Sequence, residues 1–198
     1  MNWPKRIRTG RSMKSVRLLS AANLFILIGL TLSAVQAQAA STTLKWGNIV
    51  GTAVFGDTVG VGSGAVSGAA PWNTSKGSAS VDLTSGKVSF SVTGLILSVG
   101  SAPGIPLFGL GIGTSGGVTA VEGTLVCNVD GMHGANSALV DTDSTPLSFQ
   151  GNASLKGTFG SIPAVCTTAP SDTAFLIRIV DPVGFAGLYI AFGAVLSF

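Results

Sequence analysis

Apolar and polar side chains alternate in two neighbouring runs of the chain, and this alternation is its clearest structural signal. A Thr-Ser-Gly-Lys segment at 84–87, which is typical of a turn, separates the two runs. The apolar positions of the two runs are Ala79, Val81, Leu83, Val88, Phe90 and Val92. Because successive side chains of a strand point to opposite faces, the pattern predicts a β-hairpin with one face against a core and the other toward water.

Short runs of β-branched and aromatic residues between glycines and prolines predict further strands. They span residues 44–50, 52–55, 118–128, 137–141, 147–159 with a break at Gly151, 173–180 and 188–198. The run Phe175-Leu176-Ile177 is apolar on both faces, which predicts a central strand covered on both sides. Good helix formers are scarce after residue 40. The sequence therefore predicts an all-β fold, an antiparallel β-sandwich, with barrel-like closure as the alternative.

A basic segment followed by an apolar run opens the chain. Six Lys and Arg residues lie within residues 5–17, and the uncharged run from 18 to 40 is rich in Leu and Ile. This order, which ends in Ala37-Gln38-Ala39, is typical of a secretory signal peptide that is cleaved after a small residue. The sequence predicts a signal helix over residues 1–39 and a single mature domain over residues 40–198. An uncleaved anchor is the alternative, because the apolar run approaches the length that spans a bilayer.

Removal of the signal reverses the sign of the net charge. The whole chain carries 11 Lys and Arg against 8 Asp and Glu, and six of the bases lie in the signal. The remaining five bases against eight acids leave the mature domain near −3. These bases are spread along the sequence as Lys45, Lys76, Lys87, Lys156 and Arg178. No run of them predicts a phosphate-binding patch, so nucleic-acid binding is disfavoured.

Cys127 and Cys166 are the two cysteines of the chain, and both lie in the predicted mature domain. An even number of cysteines in an exported chain indicates a disulfide and an oxidising compartment. A thiol metal site is disfavoured, because the chain has one His and the cysteine spacing does not match a ligand pattern. We expect the domain to be secreted to the extracellular space or the periplasm.

Arg178 is the one arginine of the predicted mature domain, and it lies in a strongly apolar strand. The strand period places it on the face of Leu176 and Val180. Because a half-buried guanidinium needs a carboxylate partner, we predict a structural ion pair with Asp181, Glu122 or another acid. An anion-binding site is the alternative.

The sequence gives only weak evidence for a metal, catalytic or cofactor site elsewhere in the domain. Asp130, Asp141 and Asp143 offer oxygens for Ca²⁺, but their spacing does not match a calcium loop, so no cofactor is expected. His133 lies in a turn-like segment without a nucleophile motif. The glycines at 111–116 match the dinucleotide fingerprint in spacing, but no helix is predicted after them. No catalytic or cofactor-binding residue is identified, and we favour a domain that is not an enzyme.

Two apolar segments allow more than one interpretation. Residues 100–117 combine apolar side chains with seven glycines and two prolines, which predicts either a lid over the core or an apolar surface, the lid being favoured. Residues 188–198 alternate up to the terminal Phe198, which is typical of the closing strand of outer-membrane β-barrels. The other predicted strands are too short for such a barrel, so we do not expect the mature domain to span a membrane.

Five segments between residues 80 and 180 resemble a group of small, uncharacterised secreted microbial β proteins. The segments are GKVSFSVTGL at 86–95, VTAVEGTLVC at 118–127, LVDT at 139–142, PLSFQG at 146–151 and AFLIRI at 174–179. The resemblance implies a secreted β domain and brings no activity with it. GSASVDL at 77–83 and VTGL at 92–95 are also similar to CHRD-type extracellular β domains. Those domains carry a His-x-His segment that this chain lacks, so no metal role is carried over.

These observations predict a secreted or periplasmic, non-enzymatic β-sandwich with a structural or binding role. Its partner would be an extracellular ligand or a second copy of the chain. A pilin-like or surface assembly subunit is a competing hypothesis, although the late cysteine pair and the absence of a penultimate Tyr depart from the usual pilin pattern. A small outer-membrane β-barrel is a further hypothesis, and so is a hydrolase whose carboxylates the sequence does not locate.

Overall fold

The computed structural model describes residues 43–98, 111–182, 185–194 and 196–197. The predicted signal helix and residues 100–110 of the predicted apolar loop lie outside these ranges. The described residues form fifteen strands, one α-helix and one 3-10 turn at Gly62–Gly64.

Most of the strands are short, and the longest lie in the two main sheets. Their bounds are β1 Thr43–Trp46, β2 Ile49–Gly51, β3 Thr58–Val59, β4 Val66–Ser67, β5 Trp72–Asn73, β6 Lys76–Asp82, β7 Lys87–Thr93, β8 Ile96–Leu97, β9 Ala120–Cys127, β10 Ala138–Asp141, β11 Thr145–Pro146, β12 Ala153–Thr158, β13 Thr173–Asp181, β14 Tyr189–Gly193 and β15 Leu196–Ser197. The helix, α1, spans Ala164–Thr168.

Two antiparallel sheets form an all-β sandwich, as the sequence predicts. Sheet A has the order β12-β7-β6-β1-β15, and sheet B has the order β10-β9-β13-β14-β2 with β11 also paired to β9. Two small antiparallel pairs, β3 with β4 and β5 with β8, complete the pairing of the described residues. Each main sheet keeps two open edges there, so the closure that the sequence leaves open is not formed in this part of the chain.

The core lies between the inner faces of the two sheets. Three aromatic side chains join the sheets at its centre: Phe175 of sheet B packs against Trp46 and Phe90 of sheet A, with ring centroids 5.5 and 5.8 Å away. Gly123 on the neighbouring strand leaves room for this cluster, because a Cβ there would lie 2.7 Å from the Phe175 ring. The aromatic cluster thereby fixes how closely β9 and β13 approach sheet A.

The hairpin and the central strand are confirmed. Strands β6 and β7 pair with the predicted alternation, and Asp82 Oδ1 accepts hydrogen bonds from the backbone N–H groups of Thr84 and Ser85 in the turn. Strand β13 lies in the middle of sheet B, and Phe175, Leu176 and Ile177 are fully buried.

The chain crosses from one main sheet to the other between β1 and β2, and again between β14 and β15. β1 and β15 belong to sheet A, whereas β2 and β14 belong to sheet B, and the Ala194 N–H donates to the Asn48 carbonyl where both crossings occur. Gly193 lies at this corner, where a Cβ would come within 2.3 Å of the Trp46 ring. The single strands predicted over 44–50 and 188–198 are therefore wrong, because each is divided between two sheets.

Two further expectations are corrected. Residues 52–55 do not form a strand, since Val54 and Phe55 are exposed in a turn that ends at Gly56 with φ +76°. The break predicted at Gly151 is confirmed, since Gly151 adopts φ +76° and closes a turn against Leu95, but only the residues after it form a strand, β12. A short apolar run identifies candidate strand residues but does not show which of them pair.

Helix α1 is absent from the sequence-based expectations, because its five residues are too few for a periodic signal. It packs against β9. The described residues contain no helix with the length and apolar character of a membrane span.

Candidate functional site

The outward positions of sheet A carry hydroxyl groups and lysines. Alternation along β1, β6, β7 and β12 sends the apolar side chains inward and the polar ones outward. We call the outward set the hydroxyl face: Thr43, Lys45, Lys76, Ser78, Ser80, Asp82, Lys87, Ser89, Ser91, Thr93, Ser154, Lys156 and Thr158. Within this set there are four lysines and one acid.

Strand register arranges these side chains in rows across the sheet. Lys45 pairs with Ser80, Ser80 with Ser89, and Ser89 with Lys156, so one row places two serines between two lysines, and it continues from Lys45 to Ser197 of β15. The Oγ atoms of Ser80 and Ser89 are 3.0 Å apart. Neighbouring strands lie about 4.8 Å apart, so three steps separate the backbones of the two lysines by about 14 Å. The next row is formed by Ser78, Ser91 and Ser154.

Several depressions are lined by residues of the hydroxyl face, and they share some of these residues. The largest has a volume of about 630 Å³ and lies between Lys45 and Lys156. A second, of about 480 Å³, is lined by Lys87 and Lys156, and a third, of about 290 Å³, is lined by Lys76. Ser80 and Ser89 line both the first and the second, so the two depressions are continuous.

Charge is segregated between this face and the rest of the domain. All four lysines that follow residue 40 are exposed on the hydroxyl face, where Asp82 is the one acid, giving a net charge of +3. The remaining seven acids and Arg178 lie elsewhere, and the ion pairs of Arg178 belong to sheet B. The bases are spread along the sequence, but strand pairing gathers the four lysines on one face.

The predicted disulfide joins Cys127 to Cys166. Its S–S distance is 2.01 Å, and both residues are fully buried. Cys127 ends β9 and Cys166 lies in α1, so the bond fastens the helix to sheet B.

Arg178 lies at the centre of an ion-pair network on the outer side of sheet B. Its Nη1 atom is 2.9 Å from Asp141 Oδ1 and 3.6 Å from Glu122 Oε1, and its Nε donates to the Gly187 carbonyl. Glu122 is the direct cross-strand neighbour of Arg178. Asp181, also a predicted partner, instead accepts a hydrogen bond from the Thr119 hydroxyl. The Arg178 Nη1 also donates to the Thr124 hydroxyl, and a guanidinium with four polar partners is positioned to hold the sheet together rather than to bind a free anion.

The structure does not bring the three calcium candidates together. Asp141 is used by Arg178, whereas the Asp130 N–H donates to Asp172 Oδ1, 3.1 Å away. The Asp143 carbonyl accepts a hydrogen bond from the Thr142 hydroxyl. No group of three or more His, Cys, Asp or Glu side chains that could hold a metal occurs within the described ranges.

Asp130 and Asp172 affect each other's titration. A hydrogen bond from the Met132 N–H lowers the pKa of Asp130, whereas burial raises the pKa of Asp172. His133 is exposed beside them, and its backbone N–H donates to Asn128 Oδ1. These contacts close the loop after β9.

Glu122 provides a pH test of the Arg178 network. Burial raises the pKa of Glu122, the Asp141 carboxylate raises it further, and Arg178 opposes both effects. The folded state therefore holds this proton more tightly than the unfolded state does, so the stability due to Glu122 is complete at low pH and is lost as the pH rises through the raised pKa.

We expect Glu122→Gln to gain stability relative to the wild type as the pH rises from about 4 to about 7. Urea unfolding of both proteins at several pH values measures this difference. If the variant instead lost stability relative to the wild type as the pH rises, the raised pKa of Glu122 would be contradicted.

No protein-family model, curated protein or solved structure matches the chain. The likeness to small secreted microbial β proteins remains a prediction.

Proposed function

We propose that this chain is a secreted or periplasmic, non-enzymatic β-sandwich that binds a partner at or outside the cell surface through its hydroxyl face. One observation carries the proposal: Lys45, Lys76, Lys87 and Lys156 gather on one sheet face although the mature domain is acidic overall. A surface of one sign raises the local concentration of a partner of the opposite sign. The hydroxyl face therefore favours an anionic partner.

Two features support a compartment outside the cytoplasm. The basic and apolar order of residues 1–39 is typical of an export signal. The Cys127–Cys166 disulfide is of the kind that persists in oxidising compartments. An exported protein meets its partner at the envelope or beyond it.

The use of the acidic groups favours binding over catalysis. Glu122 and Asp141 are engaged by Arg178, and Asp82 caps the β6–β7 turn. Paired carboxylates that serve in catalysis need opposed environments and access to a substrate cleft. Among the depressions of the described residues, those on the hydroxyl face are the largest, and Asp82 is the one acid on that face.

Fractionation and envelope binding test the proposal together. The full chain is expressed in a secreting host, and protein from the extracytoplasmic fraction is analysed by non-reducing mass spectrometry. We expect the mass of residues 40–198 with the disulfide formed. The recovered protein is then mixed with isolated cell envelopes and sedimented.

Charge-matched variants identify the binding surface. Lys45→Gln/Lys156→Gln removes two positive charges from the hydroxyl face, and Ser144→Glu/Ala164→Glu changes the net charge by the same amount at exposed positions outside it. We expect the lysine variant to sediment several-fold less with envelopes, and the control to sediment like the wild type. Recovery from the cytosol with free thiols, or equal sedimentation of both variants, would refute the proposal.

A further inference from the structure

The positive charges of the hydroxyl face are separated by rows of hydroxyl groups. In one row, Ser80 and Ser89 lie between Lys45 and Lys156. Lys76 lies four residues before Ser80 on β6, about 14 Å along the strand. A ligand that complements this surface therefore carries negative charges at intervals, with neutral polar groups between them.

We propose that the hydroxyl face binds an acidic polysaccharide, a chain in which carboxylated sugars are separated by neutral, hydroxyl-bearing ones. This inference rests on the proposed function, because it names the ligand of the same face. The lysines would pair with the carboxylates, and the serines would exchange hydrogen bonds with the sugar hydroxyls, since a serine hydroxyl both donates and accepts.

The polar composition of the hydroxyl face argues against a nucleic acid, a membrane or another protein as its partner. The aromatic side chains of the hydroxyl-face strands, Trp46 and Phe90, are buried in the core, so the face has no platform on which bases stack. A membrane-binding surface inserts apolar side chains, whereas the outward positions carry Ser, Thr, Lys and Asp. The face also lacks the Trp, Tyr and Arg anchors that dominate protein interfaces.

The shape of the face also suits an extended chain. The depression between Lys45 and Lys156 continues into the one lined by Lys87. It also shares Ser78 and Ser91 with the one lined by Lys76. A polymer lying across β12, β7, β6 and β1 would contact Lys45 and Lys156 along this row, with Lys87 beside it.

Titration with three polymers tests the ligand class. The exported chain is titrated with hyaluronan, in which carboxylated and neutral sugars alternate, with neutral dextran and with polyphosphate, which is charged at every unit. We expect saturable binding to hyaluronan that weakens as salt is added, because exposed charges are screened. Binding to dextran should be absent, and binding to polyphosphate should be weaker than to hyaluronan.

Two sets of variants separate charge from hydroxyl contacts. We expect Lys45→Gln/Lys156→Gln to weaken hyaluronan binding about fivefold to tenfold, and Ser144→Glu/Ala164→Glu to leave it unchanged. Ser78→Ala/Ser91→Ala keeps every charge and should weaken binding about two- to fivefold through lost hydrogen bonds. Far-UV circular dichroism and thermal unfolding show that each variant is folded.

Several results would overturn the inference: no binding to hyaluronan, equal binding to dextran, a preference for polyphosphate, or no effect of the lysine and serine variants. Concentration-dependent self-association through the lysines without polymer binding would also overturn it, in favour of a second copy as the partner. Lysine-dependent binding to envelopes without binding to hyaluronan would remove this inference and leave the proposed function standing. Envelope binding that is unchanged in the lysine variant would refute both this inference and the proposed function.

Discussion

Replacement of Phe175 by alanine is expected to lower the free energy of unfolding by roughly 3–5 kcal/mol. Phe175 is fully buried and packs against Trp46 and Phe90 of the opposite sheet. Truncation removes the contacts that join the sheets and leaves a cavity, because Gly123 beside it has no side chain to fill the space. Urea unfolding of the wild type and the variant measures the change.

A phenylalanine outside the core provides the matched control. Phe149 is 55% exposed, so Phe149→Ala should change the free energy of unfolding by no more than about 0.5 kcal/mol. If Phe175→Ala fails to fold, Phe175→Leu retains most of the volume and should cost less than about 1.5 kcal/mol. Equal effects of the two alanine substitutions would contradict the arrangement of the core.

The second large effect concerns the disulfide. We expect Cys127→Ala/Cys166→Ala to lose roughly 4 kcal/mol of stability, because the bond closes a ring with a sequence separation of 39 residues and limits the unfolded chain. Both cysteines are fully buried, so a reductant should act on the wild type mainly after unfolding.

Unfolding in urea with and without reductant supplies the measurement. The reduced wild type and the double variant should unfold at similarly low denaturant concentrations. A double variant as stable as the oxidised wild type would show that the bond does not constrain the fold.

Local pattern is sufficient for the elements that pair with their sequence neighbours. The β6–β7 hairpin follows from alternation around the turn at 84–87, and the central position of β13 follows from Phe175-Leu176-Ile177. In both cases the residues that decide the structure are adjacent in the chain. Periodicity registers such neighbours directly.

Crossings between sheets do not follow from the same pattern. Strand β1 pairs with β6 and β15, and β12 pairs with β7, so the decisive contacts join residues far apart in sequence. An apolar run is compatible with either sheet. The packing of Trp46 against Gly193 decides where the last strand leaves sheet B.

The sequence pattern predicts the part of the hydroxyl face on β6 and β7, but not the part on β1 and β12. Polar residues alternate with small or apolar ones in β6, at Lys76, Ser78 and Ser80, and in a similar order in β7. This alternation places the polar side chains of each hairpin strand on one face. Lys45 and Lys156 join that face through non-local pairing, which a linear pattern does not contain. The bases therefore look dispersed in sequence although they share one surface.

The Arg178 network is a similar case. Glu122 is a predicted partner, with Asp181, because a half-buried guanidinium needs a carboxylate, whereas Asp141 stands out in the sequence only as a candidate calcium ligand. The register of β10 on β9 pairs Asp141 with Thr124 and brings its carboxylate to the guanidinium. A prediction of acid–base pairs in a β fold therefore depends on knowing the strand order.

Lysine labelling tests the central claim most directly. The purified protein is treated with an amine-acylating reagent, with and without bound cell envelopes, and the labelling rate of each lysine is read by mass spectrometry. Carbodiimide labelling of Asp57 and Asp143, exposed acids outside the hydroxyl face, serves as the control. We predict that envelopes slow labelling of Lys45, Lys87 and Lys156 and leave the two acids unchanged. Unchanged lysine rates in the presence of bound envelopes would contradict the hydroxyl face as the binding surface.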